Sequence, residues 1–197
     1  MILPRCFVAV EVKDAGLLRT LDAAQMGLRR AFGTPDPVKW VPAHQFHFTL
    51  KFLGEVEAAA AARAMAAVRR AAAGAAPFSA AMRGLGCFPG PVRPSVLWAG
   101  VAEGADGLGQ LAARVEQELA REGFPPERRP FKPHLTLGRV REGAFVPRAA
   151  VEALAEAERQ DFGRFGVERL VLMKSELTPR GPIYTPYGVA ALGEDIR

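Results

Sequence analysis

The sequence contains no asparagine, and its 197 residues include only two cysteines, two tryptophans, two tyrosines and three histidines. Cys6 and Cys87 each sit in apolar surroundings and read as two core thiols rather than a disulfide. No CxxC pair or Cys/His cluster occurs, and the histidines form no i, i+4 helical pair, which excludes the common zinc signatures. The expectation is no metal and no cofactor. No apolar run reaches the roughly 18 residues that a membrane-spanning helix needs. The opening stretch from Met1 to Val10 lacks a basic n-region and soon meets Glu11 and Lys13. It reads as a first strand, not a signal peptide, so a cytoplasmic protein with no membrane partner is expected. Lysine is scarce as well. Only five of the 26 basic residues are lysine, and the chain is rich in Ala, Gly and Pro, a pattern typical of high-GC coding.

What is present suits one large domain or two small packed lobes. The chain is 49% hydrophobic and 24% charged, enough to build a core without disulfide or metal staples. The net charge of +5 favours a polyanionic partner, although coding bias accounts for arginine richness equally well.

Hydrophobic patterning predicts strands at Phe7–Val12, His44–Leu53, Phe78–Phe88, Val96–Val101, His134–Val140, Val167–Leu177 and Val189–Leu192. Helices are predicted over residues 14–32, 56–73, 106–122 and 148–158, the first capped by Asp14 and stopped by Gly33 and Pro35. A turn is expected at 178–182. The order strand, helix, strand, helix, strand therefore occurs twice. The second copy is displaced by close to ninety residues, too long a period for a solenoid. The expectation is an α+β fold over 1–197, a bilobal domain of two pseudo-symmetric, intertwined lobes. Each lobe would be a mainly antiparallel sheet with helices on its outer face, and the cleft between them would hold the site.

The repeat carries a motif. His47-Phe-Thr-Leu50 and His134-Leu-Thr-Leu137 lie 87 positions apart, at matching places in the repeated order. With six threonines in the chain, a threonine two positions after a histidine arises by chance at roughly 3%, so two cases from three histidines are a rare coincidence. A period of two places the histidine and threonine on one strand face, about 6.5–7 Å apart. Two facing lobes then present two imidazoles and two hydroxyls. That set suits in-line displacement at phosphorus: one neutral imidazole takes a proton from the nucleophile, while the other, charged, gives one to the leaving oxygen. The hydroxyls would steady the non-bridging oxygens. The spacing leaves open which histidine is acid and which is base. Strict alternation puts Phe46, Phe48, Leu50 and Phe52 on one face of the first strand and Lys51 with His47 and Thr49 on the other. Lys132 would share the His134 face. Arg139 reaches that face only if the strand bends at Gly138. Arg93 precedes a strand, Tyr184 is a candidate for base stacking, Trp40 and Trp98 read as core, and His44 as a turn residue.

The segments Trp40–Glu55 and Phe131–Arg139 resemble the two motifs of the 2H phosphoesterase superfamily. More narrowly, they resemble the bacterial and archaeal 2′-5′ RNA ligase / RNA 2′,3′-cyclic phosphodiesterase family. Residues 5–12, 88–100, 175–177 and 181–184 are similar as well. The resemblance implies a metal-independent enzyme that opens RNA 2′,3′-cyclic phosphate ends, or nucleoside 2′,3′-cyclic phosphates, to 2′-phosphates. Some members also perform reversible, ATP-independent 2′-5′ ligation. It further implies His47 as proton donor, His134 as proton acceptor, and Thr49 and Thr136 as phosphate ligands. Arg139, Lys51, Arg93, Lys132 and Tyr184 are the remaining candidate substrate contacts. A monomer would suffice. Two alternatives stay open: a 2H phosphoesterase for another cyclic or 2′-5′-linked nucleotide, and a non-catalytic module that binds RNA ends.

Overall fold

A computed structural model of the chain describes residues 3–178 and 181–194; Pro179 and Arg180, in the expected turn, lie outside them. Nine strands and four helices are described: β1 Arg5–Glu11, α1 Ala15–Phe32, β2 Val38–Trp40, β3 His47–Glu55, α2 Ala58–Ala73, β4 Phe78–Phe88, β5 Val96–Glu103, α3 Ala105–Arg121, β6 His134–Val140, α4 Arg148–Glu156, β7 Asp161–Val167, β8 Arg169–Thr178 and β9 Gly181–Ala191. None of the described helices is long and apolar enough to cross a membrane.

Local chemistry accounts for the helices. The Asp14 carboxylate accepts from the Leu17 amide at 2.7 Å and caps α1, and Gly33 ends it with φ of 75°. Alanine fills most of helix α2, which favours helix and leaves a thin face. Helix α3 packs against that face, and Arg70 of α2 reaches Glu118 and Glu122 at 2.7 and 2.6 Å.

The strands form two antiparallel sheets, ordered β3-β1-β8-β9 and β2-β6-β5-β4-β7. Apart from β2, the two orders are the same list: β3 answers to β6, β1 to β5, β8 to β4 and β9 to β7. Each sheet draws on both halves of the chain: β8 and β9 join the first sheet, and β2 and β4 the second. The helices cross over too. Helix α1 follows a strand of the first sheet and packs on β7 and α4 of the second, while α3 follows β5 and packs on β3 and α2. Most buried apolar side chains form one continuous core under the helices, including Val8, Val10, Phe48, Leu97, Leu135 and Leu137. A small second cluster, Phe7, Ala9, Val171 and Met173, covers the opposite face of the first sheet.

Two strands escape the hydrophobic pattern. Val38–Trp40 has only three residues, and β7 is interrupted by Gly163 and Gly166. The strand β9 begins well before the predicted Val189, because Pro182 and Pro186 mask its first half. The short β2 lies over Gly138, where a Cβ atom would come within 2.7 Å of Val38 Cγ1 and 2.9 Å of Trp40 Cε3. Only glycine admits that approach.

Candidate active site

His47 opens β3 and His134 opens β6, and the same contact fixes both. His47 Nδ1 lies 2.7 Å from the Gln45 carbonyl, and His134 Nδ1 lies 2.6 Å from the Lys132 carbonyl. A carbonyl oxygen only accepts, so each Nδ1 carries its proton. In the neutral rings Nε2 is then a lone-pair acceptor; in the charged rings it is a donor. Each histidine is thus held in one tautomer by the backbone two residues before it.

Aromatic packing holds the rings in place. His47 lies against Phe7 with centroids 5.0 Å apart and meets Tyr184 edge-on at 5.4 Å. His134 meets Phe88 edge-on at 5.1 Å, and Phe88 tilts against Trp98 at 5.2 Å. The Trp98 indole lies across Gly86, where a Cβ atom would stand 2.3 Å from the ring. Trp98 is half-buried rather than core. A cavity of about 650 Å³ beside this lobe is lined by Gly86, Trp98, Gly100 and Pro133, but by neither motif histidine.

Thr49 pairs with Ala9, and Thr136 with Trp98, so each threonine shares its histidine's face. Beyond the threonines both strands break alternation at the same place. In β6 the register slips between Trp98, paired with Thr136, and Leu97, paired with Gly138. Leu137 and Gly138 are both buried, and Arg139 returns to the Thr136 face as an exposed side chain. This is the bend expected at Gly138. In β3 the register slips between Ala9, paired with Thr49, and Val8, paired with Lys51. Leu50 and Lys51 are both buried, and Phe52 emerges on the His47 face opposite Phe7.

Lys51 therefore corrects the alternation reading. The irregularity turns it away from His47 into the core side of the sheet, where 4% of its surface is exposed. Its Nζ donates to both Glu116 oxygens, at 2.8 and 2.7 Å, and to the Pro125 carbonyl at 2.7 Å. Glu116 also accepts from the Glu127 amide at 3.0 Å. The pair thereby fastens the connection that leads to His134 onto the strand that carries His47. It is not placed to touch substrate with the histidines.

The electrostatics join the lobes. Burial pushes the His47 pKa below that of an ordinary histidine. The Gln45 hydrogen bond and the Glu11 carboxylate oppose this, and the Arg139 charge adds to it. Arg139 acts on Tyr184 too, lowering a phenol that burial raises. The arginine of the second lobe thus lies within electrostatic range of His47 and Tyr184 of the first. Lys132 is exposed just before β6 and contributes its carbonyl to His134. Arg93 is exposed in the β4–β5 connection, and no described contact joins it to either histidine. His44 sits in a 3-10 turn, Ala43–Gln45, as an exposed residue. Trp40 packs edge-on against Phe32, and its Nε1 donates to Asp36 at 2.7 Å. The pattern gave no warning of Phe52, Glu11 or the two carbonyl anchors. Among the described residues, no three His, Cys, Asp or Glu side chains converge as metal ligands.

Residues 18–179 match the family described as the 2′-5′ RNA ligase superfamily. The chain belongs to this superfamily. Its relatives include a protein of Aeropyrum pernix named RNA 2′,3′-cyclic phosphodiesterase, 41% identical over 80% of this chain and 89% of that one. A protein of the same name from Methanothermobacter thermautotrophicus is 37% identical over 95% and 98% of the two chains. Solved superfamily folds superpose along the whole chain. A Thermus thermophilus crystal structure gives a TM-score of 0.79 at 33% identity, covering 98% of this chain and all of that one. Escherichia coli LigT complexed with 3′-AMP gives 0.73 at 25% identity, covering 98% and 99%. The α+β architecture with two antiparallel sheets is the superfamily's.

Proposed function

We propose that this chain is an RNA 2′,3′-cyclic phosphodiesterase that works through His47 and His134 without a metal. The matched anchoring of the two imidazoles carries the reading. A phosphodiester held between them meets one Nε2 on each side, and Arg139 adds a cation for its non-bridging oxygens. Thr49 and Thr136 give hydroxyl donors to those same oxygens, where charge grows as phosphorus becomes five-coordinate.

His134 Nε2, neutral, takes a proton from water as the water oxygen bonds to phosphorus. The P–O3′ bond breaks. His47 Nε2, charged, gives its proton to O3′, leaving a 2′-phosphomonoester and a free 3′-hydroxyl. The donor role of His47 rests on the family resemblance, and the local charge tells how it is met. Burial and Arg139 hold His47 toward neutral in the free protein. A bound phosphodiester offsets the Arg139 charge and sets a negative group beside the imidazole, and both raise its proton affinity. The same displacement, with an RNA 5′-hydroxyl in place of water, gives a 2′-5′ linkage without ATP. One chain supplies both histidines, so a monomer suffices.

The test uses chelator-treated protein and a short RNA ending in a 2′,3′-cyclic phosphate, with product identified against 2′- and 3′-phosphate standards. A 2′-phosphate is expected, with kcat reduced about 10²–10⁴-fold in both H47A and H134A. A 3′-phosphate product, or turnover only with added divalent metal, overturns the reading.

A further inference from the structure

The cavity of about 650 Å³ in the second lobe adjoins His134 through two of its lining residues. Pro133 immediately precedes that histidine, and Gly100 is its partner across β5 and β6. At the matching place in the first lobe the partner of His47 is Glu11, whose side chain stands where the second lobe has only a hydrogen. The cavity continues along the site face. Trp98 pairs with Thr136 on one side and with Gly86 on the other, so its indole shares the threonine's face and lies across the glycine. Helix α4 adds Leu154 and Ala155 to the wall. The volume falls in the range of small-molecule sites, about 300–1,000 Å³. The lining is mostly apolar and carries one charge of each sign, Arg83 and Glu158. An aromatic ring, aliphatic walls and no net charge suit a neutral, ring-bearing group rather than a phosphate.

In-line displacement decides which group that is. The oxygen that attacks phosphorus enters opposite O3′ and gives its proton to His134. When that oxygen is water, nothing is attached to it. When it is an RNA 5′-hydroxyl, a whole nucleoside is attached and lies on the His134 side of the phosphate, where the cavity is.

We infer that the cavity is the subsite for the nucleoside whose 5′-hydroxyl attacks the cyclic phosphate, with its base against Trp98. This rests on the paired-histidine reading above. In the joining direction O5′ bonds to phosphorus as its proton passes to His134 Nε2, the P–O3′ bond breaks, and His47 protonates O3′. In the reverse direction the 3′-hydroxyl beside a 2′-5′ linkage gives its proton to His47 and bonds to phosphorus, the P–O5′ bond breaks, and His134 protonates O5′. Hydrolysis of a 2′,3′-cyclic phosphate leaves the cavity unused.

The test compares two reactions of the metal-free protein. One is cleavage of 2′-5′-linked adenylyl adenosine to adenosine 2′,3′-cyclic phosphate and adenosine. The other is hydrolysis of adenosine 2′,3′-cyclic phosphate itself. The readout is the ratio of the first kcat/KM to the second in the wild type, W98L, W98F and A155W. W98L should lower the ratio about 5- to 150-fold, the span that one base–aromatic stack is worth, and W98F, which keeps a ring, should restore most of it. Trp98 packs on Phe88 and Phe88 on His134, so W98L also slows both reactions together; the ratio removes that shared loss. Ala155 is exposed on α4, so A155W fills the cavity from a position the fold tolerates. It should leave cyclic-phosphate hydrolysis unchanged and lower the ratio at least as far as W98L. A wild type that hydrolyses the cyclic phosphate but leaves the dinucleotide intact, or an A155W with an unchanged ratio, overturns the subsite. Wild-type protein inert toward both substrates fails the paired-histidine reading itself and the subsite with it, a result distinct from either.

Discussion

The two lobes bear the same motif and differ in the two residues just beyond it. His-x-Thr-Leu-Lys-Phe runs from His47 in the first, and His-x-Thr-Leu-Gly-Arg from His134 in the second. Both strands slip register after the threonine, and both turn the residue five beyond the histidine back to the site face. In the second lobe the residue hidden by the slip is glycine and the one turned out is a cation. In the first lobe the hidden residue is a lysine that ties down a distant loop, and the one turned out is aromatic. A symmetric frame thus yields an asymmetric site face, with a cation from one lobe and an aromatic ring from the other.

Paired substitutions sharpen this comparison. The largest effect is expected at the threonines. T49A and T136A should each lower kcat about 10²-fold, the scale of losing one donor to developing charge. Unequal losses, read from steady-state kinetics with RNA cyclic phosphate, would show which lobe carries more of it. Next, K51M leaves Glu116 and the Pro125 carbonyl without their cation. It should cost about 3 kcal/mol of unfolding free energy in a denaturant titration. In K51M/E116L, which removes both charges, most of that stability should return; a double variant no more stable than the single one refutes the pairing.

Smaller effects are expected on the pH profile, which should be bell-shaped. Arg139 depresses His47, so R139A should move the limb set by His47 to higher pH while raising KM. Glu11 supports the His47 charge, so E11Q should move that limb the opposite way, to lower pH. Limbs that stay fixed in both variants would place neither charge near the titrating imidazole.

Much of this was legible in the chain itself. The repeat, the paired motifs and the alternating strand faces all come from periodicity, because each sheet buries one face and opens the other. The bend that delivers Arg139 was legible because a glycine marks it. The matching bend at Leu50 and Lys51 has no such mark, so Lys51 and Phe52 read onto each other's faces. The short β2, the glycine-broken β7 and the proline-masked start of β9 were lost for a related reason, since their pairing comes from the partner strand rather than from their own pattern. The carbonyl anchors of the histidines are backbone groups, about which side-chain patterning is silent.

The exchange of β4 and β8 between the sheets reaches further than the site. A chain cut between β4 and β5 would leave the first sheet without β8 and β9 and the second without β2 and β4. A second copy of such a half could fill the third position of that sheet, with its β4 in place of β8 or its β8 in place of β4. In such a pair both copies would have to bear the same residue after the motif, two arginines or two phenylalanines. Joined in one polypeptide, the halves are free of that constraint, and the cleft can hold one of each.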